Sequence, residues 1–133
     1  MTDLLESASN WLEDQRTRHA TRTVTYRRGA LGSGGPSVDV LATIGRTEFE
    51  VDDGAGALVK VESRDYLILA ADLVLDGQQT PPKQGDFILE TVGAITYVYE
   101  VMAPGGANGG PHYRHSDPYR KTLRIHTKLI ETL

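Results

Sequence analysis

The sequence predicts a mainly β domain, a small antiparallel β-barrel or sandwich, preceded by one N-terminal α-helix. Three observations carry this. Short stretches of alternating apolar and polar residues recur at intervals of about ten residues from residue 21 onward. Gly and Pro clusters separate them, and 14 glycines in 133 residues is well above the usual share of about 7%. Only the opening segment has a helical period.

In that segment, Asp3-Leu4-Leu5-Glu6 sets an N-cap residue three positions before Glu, the pattern of a capping box. Leu4, Leu5, Ala8, Trp11 and Leu12 recur at spacings of three, four and seven, which lines one helical face. The spacing predicts a helix from about residue 4 to 16 within an N-terminal segment 1–20. A helix so short is marginal alone in water, so Trp11 and Leu12 must pack on the domain or on a neighbouring subunit.

Residues 21–133 read as one β domain. Arg22-Thr23-Val24-Thr25-Tyr26-Arg27 is β-branched and aromatic, a strand. Gly32-Ser33-Gly34-Gly35-Pro36 lies in a loop. Val38, Val40, Ala42 and Ile44 alternate along a second strand, and Gly45-Arg46 is read as a turn into a third. There Phe49 and Val51 face in while Glu48, Glu50 and Asp52 face water. Asp53-Gly54-Ala55-Gly56 turns the chain again. Residues 58–62 and 65–69 form one long strand or two short ones, and residues 70–75 suit a helical turn. Pro81-Pro82-Lys83-Gln84-Gly85 is a stiff turn that launches Asp86-Phe87-Ile88-Leu89-Glu90. Val92-Gly93 closes a hairpin onto Ile95-Thr96-Tyr97-Val98-Tyr99-Glu100-Val101. Residues 104–111 are a Gly-rich loop, and 122–130 the last strand. On that strand Leu123, Ile125, Thr127 and Leu129 share one face, and Arg124, His126 and Lys128 the other.

Length and composition narrow the function. A single domain of 14.5 kDa buries roughly two-thirds of its unfolded surface and needs no staple. No cysteine is present, which excludes disulfides, thiolate zinc sites and thiol nucleophiles. No stretch approaches the ~20 apolar residues of a membrane span. The acidic start, with no apolar run behind it, speaks against a signal peptide and for synthesis in the cytoplasm.

The formal net charge of −4 is unevenly spread: +1 over residues 1–30, −8 over 31–100 and +3 over 101–133. So acidic a middle does not hold nucleic acid tightly. It suits a channel through which DNA slides, or simply a solvated face.

Candidate chemistry is thin. His112-x-x-His115, with Asp117 near and His126 downstream, is the nearest approach to a metal set, but Pro118 interrupts it and no helix aligns it. Ser33 lacks the Gly-x-Ser-x-Gly setting, no Gly-Lys-Ser/Thr loop exists, and the acidic run from Glu48 to Asp53 lacks calcium-loop spacing. No metal site and no catalytic residue is expected, and an enzyme is disfavoured.

The C-terminal strand is more telling. Arg120, Lys121, Arg124, His126 and Lys128 form a basic stripe. It either guards a sheet edge or meets an acidic partner, for which the middle of an identical subunit is suited. Contact between unlike patches of identical subunits generates a ring when the rotation closes.

Three stretches together resemble the head–tail joining (head completion, or stopper) proteins of tailed bacteriophages. They are Thr23-Val24-Thr25-Tyr26-Arg27-Arg28, then Pro82-Lys83-Gln84-Gly85-Asp86-Phe87-Ile88 followed by Tyr99-Glu100-Val101, and finally the run from Pro111 to Arg120 leading into Arg124-Ile125-His126-Thr127-Lys128. The third is the most distinctive, and the resemblance covers about residues 21–133. It implies a small β-barrel with no catalytic activity and no cofactor. Copies would form a homo-oligomeric ring, hexamer or dodecamer, beneath the portal, continuing the DNA channel and docking the tail. The implied partners are a portal or adaptor protein, tail proteins and, transiently, passing DNA, with no membrane. The implied location is the virion neck, assembled in the host cytoplasm. The stripe residues with Trp11 and Leu12 become interface candidates. The gating or docking loop becomes either Gly32, Gly34 and Gly35 or Gly105, Gly106, Asn108 and Gly109. A tail terminator or other minor tail protein is the nearest alternative. A small metal-dependent hydrolase using His112, His115 and Asp117 is a more distant one.

Overall fold

A computed structural model describes residues 21–29, 34–52, 54–104 and 111–133. The expected N-terminal helix with Trp11 and Leu12 lies outside the described residues, as do Gly32, Gly105, Gly106, Asn108 and Gly109. Among the described residues there is no α-helix; the chain is mainly β.

Among the described residues nine strands follow in order: β1 Thr21–Arg27, β2 Ser37–Asp52, β3 Leu58–Leu69, β4 Val74–Leu75, β5 Gln78–Gln79, β6 Phe87–Val92, β7 Ile95–Val101, β8 Tyr113–His115 and β9 Thr122–Thr132. Every pairing is antiparallel. The main sheet runs β3-β2-β1-β6-β7-β9-β8, and β3 also pairs with β9. Hydrogen bonding therefore follows a closed circuit through β1, β2, β3, β9, β7 and β6.

Inward side chains from this circuit form the core. Val24, Tyr26, Val40, Ala42, Tyr66, Ile68, Ile88, Val101, Leu123 and Ile125 are buried together. Leu73 and Leu75, from the segment after β3, pack against the same core. β1 and β6 show period-2 burial, which fixes their register because a one-residue slip would expose the whole set.

Several expectations need correction. Gly45-Arg46 is no turn: β2 runs unbroken for 16 residues, with Gly45 opposite Asp65. The glycine answers to a close approach instead. A Cβ there would sit 3.2 Å from an Arg124 guanidinium nitrogen lying over the strand. Of the two readings for residues 58–69, the single strand is the one observed. The helical turn at 70–75 shrinks to a 3-10 turn at Ala70–Asp72, followed by the β4–β5 hairpin. That hairpin turns on Asp76 and Gly77, both at positive φ (53° and 77°), the type I′ geometry that Asp-Gly favours. On β6, whose facing the sequence reading left open, Ile88 takes the core position and Phe87 is half-buried.

One region leaves the circuit. β1 pairs with β2 only as far as Thr43, and β9 pairs with β3 only as far as Arg64. Beyond these points, among the described residues, β2 and β3 pair only with each other, through Thr47↔Ser63 to Asp52↔Leu58. These six pairs make a two-stranded arm reaching about 20 Å at the usual rise per residue. Leu58, Val59 and Val61 are exposed on it.

Candidate functional site

Among the described residues three carboxylates are buried, and each is tied to an arginine distant in the chain. Asp65 on β3 takes four donors. Ser63 Oγ (2.6 Å) and His126 Nδ1 (2.8 Å) reach Oδ1, while Arg124 Nε (2.6 Å) and the Thr47 hydroxyl reach Oδ2. Asp86, just before β6, accepts from the Tyr26 hydroxyl, from Arg28 Nη2 (2.9 Å) and from the Lys83 backbone N–H (3.0 Å). Glu90 on β6 accepts from Tyr66 Oη (2.7 Å), Arg64 Nη2 (2.8 Å) and Arg22 Nη1 (2.8 Å). Arg64 also lies over the Tyr66 and Tyr99 rings. In each cluster further donors supplement the arginine, the condition under which a buried ion pair is tolerated.

The electrostatics follow from this packing. Burial alone would raise the Asp65 carboxyl, but hydrogen bonds from His126, Ser63, Thr47 and Arg124 outweigh it and hold Asp65 well below the usual carboxylate range. Glu90 behaves alike: burial opposes the charge, and the Arg64 and Tyr66 bonds win. Burial, then the bond to a carboxylate, pushes the Tyr26 and Tyr66 phenols far up, so both stay neutral donors.

Ser63, His126 and Asp65 bring together the residue types of a hydrolytic triad. Their arrangement cannot relay a proton. Both Ser63 (3.3 Å) and Asp65 (2.8 Å) approach the same imidazole nitrogen, Nδ1, and all three residues are buried. The cluster is a tie between β2, β3 and β9, closed over by the Phe49 ring, which meets His126 edge-on at 5.2 Å.

This places the basic stripe. Arg120, Lys121 and Lys128 are exposed. Arg124 and His126 do lie on the opposite face from Leu123 and Ile125, yet they turn to Asp65, and His126 is buried. The alternation of β9 was legible in the sequence; the internal acid that collects Arg124 and His126 was not. The signal available was Asp65 itself, a charged residue on a strand flanked by core positions.

The histidine set is dispersed. His112 Nε2 bonds the Pro82 carbonyl at 2.8 Å, and His115 is exposed beyond Tyr113. Asp117 accepts three backbone N–H groups, from Tyr119, Lys121 and Thr122. Among the described residues no three His, Cys, Asp or Glu side chains are placed to share a metal ion.

Of the loop glycines, Gly34 has φ of 73° and Gly35 lies against the Arg28 carbonyl, where a Cβ would fall 2.0 Å from the oxygen. With Arg28 N donating to Pro36 O at 2.9 Å, these glycines close the base of the loop between β1 and β2.

Comparison with known families finds one that matches: a family described as phage head-tail joining protein, over residues 2–133. Comparison with curated proteins finds no match.

Proposed function

The chain belongs to the phage head-tail joining protein family, and from that premise we propose that it is a structural, non-catalytic component of the virion neck. In this reading it is a stopper-type connector: copies form a ring, six or twelve in number, beneath the portal or an adaptor. The ring continues the DNA channel and docks the tail. The observation that carries it is the family match, which spans nearly the whole chain.

The physics of the domain supports such a role. The closed circuit of strands reads as a small β-barrel, an architecture without long open edges except where it makes contact. Among the described residues, buried carboxylate–arginine ties join the end of β1 to the turn before β6, β1 to β6, β3 to β6, and β3 to β9. A subunit braced in this way transmits load between head and tail with little deformation, because fully satisfied polar networks rigidify a core. The acidic excess of residues 31–100 keeps passing DNA from adhering to the channel wall.

The test is genetic. Particles made without this protein are expected to be filled or leaking heads lacking tails, restored by the protein supplied in trans. Normal tailed particles would refute the proposal. Defects confined to tail length, with the protein found at the tail end, would assign it to tail termination instead.

A further inference from the structure

We propose that the turn between β8 and β9 docks on the acidic β2–β3 arm of a second copy of this chain. The proposal rests on the ring reading above and names the two surfaces that join its subunits.

The turn is built to hold a shape. The Asp117 carboxylate accepts the backbone N–H groups of Tyr119 (3.2 Å), Lys121 (2.9 Å) and Thr122 (2.8 Å). Ser116 N donates to Thr122 O at 2.9 Å and Arg120 N to Asp117 O at 3.3 Å. Arg120 is held at φ of 58°, a conformation that a non-glycine residue adopts only when its surroundings impose it. What the turn presents is basic and aromatic. Tyr119 is 80% exposed, Lys121 Nζ lies 5.9 Å from its ring, and Arg114 and Arg120 are exposed beside it. Asp117 is the one acid there, and its charge is spent on backbone N–H groups. A fixed Tyr–Arg–Lys surface has the residue types that anchor interfaces, with its ordering cost already met.

The arm supplies the complement. One of its faces carries Glu48, Glu50, Asp52, Lys60 and Glu62, four carboxylates against one cation, with Leu58 at the tip and the Arg46–Arg64 pair at its base. Glu48 stands directly opposite Glu62, a like-charge pair that destabilises a hairpin left alone. Arg46 reaches Glu62 at 3.9 Å, and among the described residues Glu48, Glu50 and Asp52 form no ion pair.

The two surfaces cannot meet within one molecule. β3 joins them: Leu58, at the arm tip, pairs with Asp52, while Leu69 pairs with Thr122 beside the turn. These ends lie about 35 Å apart along the strand. Contact is therefore between copies and joins unlike patches, the kind that closes a ring. Duplex DNA is the rival occupant of a basic turn. It is disfavoured because the turn is a single small patch on a chain of net charge −4.

The experiment uses the full chain, folded by circular dichroism, with association followed by sedimentation at low and high salt. One variant reverses the turn (Arg120→Glu with Lys121→Glu) and another the arm (Glu48→Lys with Glu50→Lys). Each alone should raise the dissociation constant about tenfold or more, and an equimolar mixture should regain association, because reversed turn then meets reversed arm. Variants that associate as wild type would overturn the proposal while leaving the ring to other surfaces. A wild type that stays monomeric at every concentration would overturn both. Loss of binding to a labelled DNA duplex in the turn variant, with self-association untouched, would overturn it in favour of nucleic acid.

Discussion

Replacing Asp65 by Asn removes a charge and half of an acceptor set. The carboxylate offers two oxygens, each taking two donors: Ser63 and His126 on one, Arg124 and Thr47 on the other. Asn keeps one oxygen and turns an NH2 toward the other pair. A hydroxyl there can rotate to accept, but the charge-assisted bonds are lost and Arg124, which can only donate, loses its counter-charge. Hydrogen bonds to a charged group are worth about 1.5–3 kcal/mol each, and unpairing a buried ion costs about 3–5 kcal/mol. Arg124 retains some access to solvent and His126 has almost none. The expected loss is therefore about 3–4 kcal/mol, taken from the range for a removed buried partner. With an m value of about 2 kcal/mol/M, the urea midpoint should fall by about 1.5–2 M at pH 7. A shift below about 0.5 M would refute the view that this cluster ties β2, β3 and β9 together. If the variant does not fold, Ser63→Ala gives the milder reading: one bond lost, for about 1 kcal/mol.

Three further outcomes follow. Lys128→Glu should leave stability within about 0.5 kcal/mol of wild type, whereas Arg124→Glu should cost more than about 3 kcal/mol by setting two acids together, as urea unfolding will show. Stability should fall on acidification, because Asp65 and Glu90 have depressed folded-state values: their contribution is complete above the unfolded carboxylate pKa of about 4 and is lost as pH drops through the folded values. Asp65→Asn should flatten that acid limb in a pH series of unfolding curves. Ile88→Ala should cost about 2–5 kcal/mol and the half-buried Phe87→Ala less, and the reverse order would mean that β6 is out of register.

Much of this was legible from alternation. Period-2 patterning located β1, β6, β7 and β9, and Pro82-Lys83-Gln84-Gly85 marked the turn before β6. What local pattern could not give is what depends on another strand. Gly45 looks like a turn residue because its need for space comes from Arg124, far along the chain. Arg124 and His126 look like surface residues because Asp65, their partner, is supplied by β3. Likewise the β2–β3 arm is visible only once both neighbouring pairings are known to stop short of it. The family resemblance, by contrast, rested on contiguous runs of residues, and the family match agrees with it.

The most direct test of the neck assignment is an electron cryomicroscopy reconstruction of the intact particle with this subunit fitted to density. The expected density is a ring of copies at the head–tail junction, coaxial with the DNA channel, each the closed β domain described above. Density for this subunit only at the distal tail, or none in the particle, would contradict it.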